Sequence, residues 1–358
     1  MAKRPFAVAR AVHAWAGAVV AGVLFVLSVS GTLLVLKDDY LRLTVPEARQ
    51  ARALDADALG AVVDAAEARW EDGLRAVVFA EPGFGLHRAY LTDGGAYLGE
   101  GGAVVAAWDG HRRFEVWLTA LHHDLTAGEA GRAVAGIAGV AAVLLCVSGL
   151  VAYWPMRRGL RRGLRADGLD RRELRSLHRN LGLVAVIPTL LLAVTGASMT
   201  FPGPAKMLLG GGGEPPVRET ALPAPADGWG AVIGAADAAF PDGAARVAFR
   251  APDGAMTIRV RQAPEWHPNG RSVAQSVTNA ATVRTIDAEA LPAGERAFNA
   301  LYPLHAVHVG GRIADSLAIL AGAALSMLTG VGLLSFLRRA PGLGGAWQAR
   351  RVAIGGAR

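Results

Sequence analysis

Apolar and polar positions separate sharply along the chain. Four apolar runs, 13–36, 133–154, 178–201 and 313–337, have no Asp, Glu, Lys or Arg beyond their first three residues. At 1.5 Å per helical residue each is about 30 Å long, enough to cross a bilayer. They predict four transmembrane helices. Between the first and second runs, and again between the third and fourth, lie polar regions of roughly a hundred residues. In the first, Asp57 to Trp70 is apolar on one face and predicts a helix. The stretches Arg75–Ala80 and Arg88–Thr92 predict short strands, and Asp93-Gly94-Gly95 a turn. The second repeats this order: a helix near Trp229–Phe240, strands at Ala245–Arg250 and Met256–Gln262, a loop at Pro264–Gly270, and strand-like sequence up to Ile286. Both read as small α+β units, a helix against an antiparallel sheet. Gly210–Gly213 and the Pro-rich stretch 215–225 read as a flexible linker.

Charge adds an orientation. Arg157, Arg158, Arg161, Arg162, Arg165, Arg171, Arg172 and Arg175 crowd the segment between the second and third runs. Arg338, Arg339, Arg350, Arg351 and Arg358 follow the fourth, and Lys3, Arg4 and Arg10 precede the first. Such clusters stay on the cytoplasmic side. The expected layout is a cytoplasmic N-terminus (1–12), a span (13–36), an extracytoplasmic domain (37–130), a span (133–154) and a basic cytoplasmic loop (155–177). A third span (178–201), a second extracytoplasmic domain (202–308), a fourth span (313–337) and a basic cytoplasmic tail (338–358) complete it. The net charge of +7 reflects this asymmetry. It implies no nucleic-acid partner, because the arginines flank helices without interleaved aromatic residues. The first run reads as a signal anchor: it is too long for a signal-peptide core, and Leu36-Lys37-Asp38-Asp39 is a poor cleavage site. The single cysteine, Cys146, excludes an internal disulfide, and for the monomer an iron–sulfur cluster or thiolate zinc site.

The order helix, outside domain, helix occurs twice, and chemistry-bearing residues recur with it. His13 and His178 each open an apolar run that reaches Ser30-Gly31 or Thr195-Gly196 at the same spacing. On the returning runs, His122 precedes Gly131-Arg132 and Ser148-Gly149, and His305 precedes Gly311-Arg312 and Thr329-Gly330. A polar side chain at the edge of hydrocarbon needs a partner, and two facing imidazoles suit one haem iron. The expected geometry has two levels. His13 and His178 lie at the cytoplasmic side beside Ser148-Gly149 and Thr329-Gly330. His122 and His305 lie at the external side near Ser30-Gly31 and Thr195-Gly196. The glycines would let a flat macrocycle approach the backbone; the alternative is ordinary small-residue helix packing.

Several of these pieces occur together in one known family. Val12-His13-Ala-Trp-Ala-Gly17, Leu121-His122 with Val147-Ser148-Gly149-Leu150 and Tyr153-Trp154-Pro155, Leu177-His178-Arg-Asn-Leu-Gly182, and Pro303-Leu304-His305 with Gly310-Gly311 resemble the PepSY-associated transmembrane family. Trp266-His267-Pro268-Asn269-Gly270-Arg271 resembles its second external domain. The ferric-siderophore reductases of bacterial iron uptake belong to this family. The resemblance implies a bacterial plasma-membrane protein with two haem b groups in a four-helix core and two extracytoplasmic PepSY-like domains. It also implies electron delivery to an external ferric siderophore, and it places His13, His122, His178 and His305 on the family's histidine positions. The family's Asp-x-x-Thr-Gly turn is replaced here by Leu91-Thr-Asp-Gly-Gly95 and Val277-Thr-Asn-Ala-Ala281.

Alternatives stand beside each assignment. His122 and His123 point about 100° apart on a helix, so only one can face a given iron, with His123 the runner-up. His305 and His308 share a helix face, so His308 is a second candidate. Both His122 and His305 lie some ten residues before their apolar runs, which puts the outer haem at the membrane surface. Arg132 and Arg312 suit haem propionates or act as positive caps at the membrane edge. His87, His111 and His267 read as surface residues; His267 with Glu265 offers too few ligands for a metal. Trp15, Trp117 and Trp154 read as interfacial anchors. No Gly-x-Ser-x-Gly, His-Glu-x-x-His or Walker motif occurs, nor a Gly-x-Gly-x-x-Gly after a strand. A nicotinamide or flavin domain is therefore not expected, and the electron donor would be a separate protein or a quinol. The rival functions are a non-enzymatic membrane module binding an envelope peptide or protease, and a cytochrome subunit serving another periplasmic oxidoreductase.

Overall fold

The computed structural model describes residues 3–49, 54–154, 168–221, 228–277 and 281–338. In chain order the elements are α1 (Lys3–Val35), α2 (Lys37–Thr44), α3 (Ala56–Trp70), β1 (Leu74–Val78), β2 (His87–Leu91), β3 (Gly94–Leu98), β4 (Val104–Trp108), α4 (Phe114–Asp124), α5 (Gly128–Tyr153), α6 (Arg171–Thr200) and α7 (Pro202–Leu208). They continue with β5 (Val217–Ala221), α8 (Trp229–Ala239), β6 (Ala244–Arg250), β7 (Met256–Arg261), β8 (Ser272–Ser276), β9 (Thr282–Ile286), α9 (Ala293–His305) and α10 (Gly311–Leu337). Most of the basic residues that set the expected orientation, Arg157, Arg158, Arg161, Arg162, Arg165, Arg339, Arg350, Arg351 and Arg358, fall outside the described residues, as does 278–280.

The helices α1, α5, α6 and α10 carry the four apolar runs, with spans Phe6–Val35, Gly128–Tyr153, Arg171–Thr200 and Gly311–Leu337 at mean hydropathies of 2.4, 2.5, 2.0 and 2.1. Length and apolarity make this a multi-pass membrane protein. Their side chains invert the soluble pattern: Ile187 and Ile313 are 78% and 76% exposed, as expected where the surrounding solvent is hydrocarbon. Small residues line the contacts between helices. Gly139 of α5 packs against Ala193 and Ala197 of α6, and Gly322 of α10 against Thr32 of α1. The hydroxyls of Ser28 on α1 and Ser326 on α10 lie 2.8 Å apart. Together with residues 119–127 these helices form one compact unit.

The second unit comprises Val35–Leu118 and Phe201–Gly311. The sequence suggests two separate α+β pieces, but their strands form a single antiparallel sheet of nine, ordered β4-β3-β2-β1-β6-β7-β8-β9-β5. The seam is β1 against β6, with Val77 opposite Ala248 and Val78 opposite Val247. Alternation of strand side chains then sorts the two faces. On one face α3 and α8 pack side by side over Val77, Ala89, Ala96, Leu98, Ala248, Ile258 and Val260, all buried. Val62 and Val63 of α3, and Trp229, Val232 and Ile233 of α8, fill this core. Each such side chain contributes about 2 kcal/mol by leaving water. The two helices meet backbone to backbone where Gly60 faces Gly230; a Cβ on Gly60 would strike the Gly230 amide. Arg250 of β6 clamps Glu67 of α3 through two bonds of 2.7 Å, joining the halves again.

On the opposite face Leu41, Val45, Ala48, Phe84, Leu86 and Tyr97 make a smaller core under α2. One register row on this face runs Tyr97, Arg88, Val78, Val247, Arg259, Val273 across six strands. Two features depart from the sequence reading. The expected linker contains β5, an edge strand paired with β9 and exposed at all five positions. The helices α4 and α9 precede the second and fourth spans, so His122 and His305 lie at helix C-terminal ends.

Candidate functional site: opposed histidines in the helical unit

The best-defined arrangement of chemically active groups in the helical unit is the pair His13 and His178. His13 lies early in α1, and His178 in the first turns of α6. Their ring centroids are 6.1 Å apart with an interplanar angle of 69°. Each Nδ1 is held by a different neighbouring helix. His13 Nδ1 lies 3.0 Å from Ser148 Oγ on α5. Ser148 already donates its own proton to the Leu145 carbonyl at 3.3 Å, so its oxygen accepts from Nδ1–H. His178 Nδ1 lies 3.0 Å from the Leu328 carbonyl on α10. A carbonyl can only accept, so this nitrogen carries the proton as well. Both rings are thereby held in the tautomer that leaves the Nε2 lone pair bare, the form a metal needs.

The spacing can be tested against that use. An imidazole nitrogen binds a transition metal at about 2 Å; adding a ring radius of roughly 1 Å on each side puts two coaxial ring centres about 6 Å apart. The observed 6.1 Å matches. Rings that share an axis are free to differ in rotation about it, so the 69° angle is compatible.

His122, from the last turn of α4, docks in the same manner on α1. Its Nδ1 is 3.0 Å from the Leu27 carbonyl and 3.1 Å from Ser30 Oγ, and Ser30 donates to Val26 at 2.7 Å. This pocket lies inside the apolar span, deeper than a position ten residues before a run suggests. The neighbouring His123 ring is 6.0 Å away and tilted by 54°. His122 is the one seated on α1, with the Leu27 carbonyl accepting from its Nδ1–H.

The three pockets share a backbone rule: a carbonyl at position i and a glycine at i+4 on one helix face. The pairs are Leu145 with Gly149, Leu328 with Gly332, and Leu27 with Gly31. A Cβ on Gly149, Gly332 or Gly31 would approach Cε1 of His13, His178 or His122 to 3.2, 2.9 or 2.7 Å. The glycines make room for the edge of an imidazole. One expectation is corrected here. The partner of His178 is Gly332 with the Leu328 carbonyl, where Thr329-Gly330 was expected. Gly330 faces open space, and the Thr329 hydroxyl is spent on Leu325 and Ser326 of its own helix. The carbonyl-to-glycine step of four residues was the signal available in the sequence; matching hydroxyl-glycine pairs misses it by two positions. Leu192 and Gly196 on α6 repeat the rule, and Thr195 there bonds back to Leu191 and Leu192 at 2.7 and 3.2 Å, the same distances Ser30 makes to Val26 and Leu27.

His305 closes α9 in the other unit. His308 is exposed and lies 3.4 Å from the Tyr302 hydroxyl. Arg132 and Arg312 are exposed near the N-terminal ends of α5 and α10, as the fifth and second residues of those helices. Trp15, Trp117 and Trp154 are 65%, 42% and 61% exposed, as anchors would be.

Two histidines expected at the surface are buried. His87 accepts the Ala80 amide on Nδ1 at 3.3 Å, and burial beside Arg246 pushes its pKa down to about 4. His267 accepts the Asn269 amide on Nδ1 at 3.1 Å, while its Nε2 faces Arg271 Nη2 at 3.1 Å. Burial first, then Arg271, lowers its pKa to about 3. Glu265 accepts from the Arg271 and Ser272 amides and the Ser272 hydroxyl, so neither residue is set up to hold a metal. The Gly270 turn that shapes this loop has φ of 63°, and a Cβ there would collide with the Val260 carbonyl. Among the described residues no cluster of three or more His, Cys, Asp or Glu is placed to hold a metal ion. His111 is exposed.

A family model described as "PepSY-associated TM region" matches residues 10–339. Comparison with curated proteins finds no significant match.

Proposed function

Given that the chain belongs to the PepSY-associated transmembrane family, we propose that it is a dihaem b-type cytochrome of the bacterial plasma membrane that delivers electrons to an extracytoplasmic ferric siderophore. The observation that carries the reading is the His13–His178 pair: two rings at metal-sandwich spacing, both with Nδ1 engaged and Nε2 bare. Bound between them, a haem supplies a one-electron Fe(III)/Fe(II) couple. The chain's own work is to hold the rings. The Leu328 carbonyl and Ser148 hydroxyl fix the tautomer, and Gly149 and Gly332 let each ring lie against its helix.

His122 and His305 are the proposed outer pair, with His123 and His308 as alternatives. The His122 pocket lies about 24 Å from His13 along α1, two levels within one membrane thickness. Arg132 and Arg312 are the proposed propionate partners. A cation in the first turn opposes the helix dipole, and an anion bound there would be attracted by both. The repeated order of span, lobe and span supports an ancestral duplication with two PepSY-like domains. The arginines around the second, third and fourth spans support cytoplasmic termini. The electron donor is a cytoplasmic protein or a quinol, and reduction of the chelated iron would loosen its siderophore.

The test is the absorption spectrum of the purified protein and its haem content by pyridine haemochrome. Two b-type haems per chain are expected, falling to one in His178→Ala. A colourless protein from a haem-replete host would overturn the proposal. The acceptor is tested by stopped flow: anaerobically reduced protein should be reoxidised by a ferric siderophore.

A further inference from the structure

On the sheet face opposite α3 and α8, some arginines are paired with carboxylates. Arg88 bonds Asp38 at 2.9 Å, and the buried Arg246 bonds Glu81 at 3.0 Å. Arg259 and Arg271 differ. Among the described residues neither makes an ion pair. Arg259, half-buried on β7, lies 5.4 Å over the Phe249 ring. Arg271 points one nitrogen at His267, and its Nε is buried without a hydrogen-bond partner. The nearby carboxylate, Glu265, is occupied by three donors of its own loop. Burial lowers the pKa of both guanidiniums, and for Arg271 the next cause is the charge of Arg259. Two cations have thus been brought together and partly dried, and the Glu265 charge offsets only part of the cost at Arg271, an arrangement that favours the arrival of an anion.

Beside them stands a run of rings. His267 and Tyr302 are 5.0 Å apart, tilted by 32°, and Tyr302 and His308 are 5.4 Å apart, tilted by 39°. His308 and Arg261 are exposed, so the cluster opens to solvent. Guanidiniums read planar carboxylate or catecholate oxygens through paired N–H donors, and flat rings support a ligand's aromatic or chelate faces.

We infer that Arg259 and Arg271, flanked by His267, Tyr302 and His308, form the docking position for the electron acceptor, and that this acceptor is a compact anionic metal chelate with carboxylate or catecholate oxygens outermost. The identity of the ligand as an electron acceptor rests on the function proposed above; the anion site itself rests on the sheet unit alone. His308 follows the proposed ligand His305 by three residues, which ties the docking position to the end of α9. A neutral or cationic tris-hydroxamate chelate would leave both guanidiniums unpaired and should be rejected.

Gallium(III) citrate tests this without electron transfer, because gallium imitates ferric iron in size and charge but is not reduced. The full-length protein in nanodiscs of neutral phosphatidylcholine is titrated by calorimetry. Saturable binding is expected, with Arg259→Gln and Arg271→Gln each weakening it at least tenfold and Arg259→Lys recovering part of the loss. A gallium tris-hydroxamate should give no binding heat. Equal affinity in both glutamine variants, equal binding of the tris-hydroxamate, or no binding of gallium citrate to the wild-type protein would each overturn the inference. Inorganic phosphate binding as tightly as the chelate would also overturn it, by reducing the site to a simple oxyanion or lipid-headgroup cradle. The visible spectrum is recorded on the same samples. A colourless protein that still binds gallium citrate would sink the cytochrome and keep the anion site, so the two failures are distinguishable.

Discussion

His178 in the helical unit and His267 in the sheet unit are both shielded from water, yet their neighbours use the ring nitrogens in opposite ways. A backbone carbonyl takes the proton of His178 Nδ1, so its lone pair at Nε2 stays available. A backbone amide occupies the lone pair of His267 Nδ1, and a guanidinium faces the other nitrogen. His87 follows His267, with the Ala80 amide on Nδ1. The lesson is that burial alone does not mark a ligand. What marks it is whether the neighbour of one ring nitrogen is an acceptor, which frees the other, or a donor, which consumes the lone pair.

The sharpest way to break this contrast is at the glycine that lets a ring reach its acceptor. Gly332→Ala would place a Cβ 2.9 Å from His178 Cε1. The ring must leave the Leu328 carbonyl, and haem content should fall from two per chain to one. Gly330→Ala, two residues away and facing open space, should leave it at two. Equal haem content in the two variants would remove the pocket as the basis of the assignment.

The donor-bound histidines should respond to acid instead. His87 has a folded pKa of about 4 against an ordinary 6.5. The unfolded chain therefore binds the extra proton first as pH falls. Stability should be full above pH 6.5 and decline towards pH 4, by about 3 kcal/mol for this residue. His267 shifts in the same direction. Melting temperature followed by differential scanning fluorimetry should drop across that window, and His87→Gln should flatten the slope by about one proton.

The smallest expected effect separates hydroxyl from carbonyl anchors. Ser148→Ala removes the hydroxyl acceptor of His13 Nδ1–H but leaves the Leu145 carbonyl and the ring in place. The loss of one hydrogen bond is about 1 kcal/mol, so haem transfer to an apoprotein scavenger should quicken several-fold without loss of stoichiometry.

Much of this architecture is legible in the sequence, because spans, periodicity and hydroxyl positions are local properties. The four apolar runs, the helices at Asp57–Trp70 and Trp229–Phe240 and the strands around them need only hydropathy and alternation. Seating His13 beside Ser148 needed only repeat spacing. Seating His178 did not follow, because its acceptor is a main-chain oxygen, and every residue has one; only Gly332 betrays which is used. The burial of His87 and His267 was equally hidden, since it depends on strands distant in sequence closing over them. The helices α4 and α9 are short and mixed in polarity, so the sequence places their histidines on helices without marking where those helices end.

The β1–β6 seam has one more implication. Each half of the sheet presents, at that point, one strand edge that only the other half pairs, and Gly60 and Gly230 bring the two covering helices into contact above it. An exposed strand edge of this kind invites mispairing. Whatever the ancestry of the two halves, neither is now a portable module: they form one continuous sheet, obliged to be synthesised, inserted and inherited together.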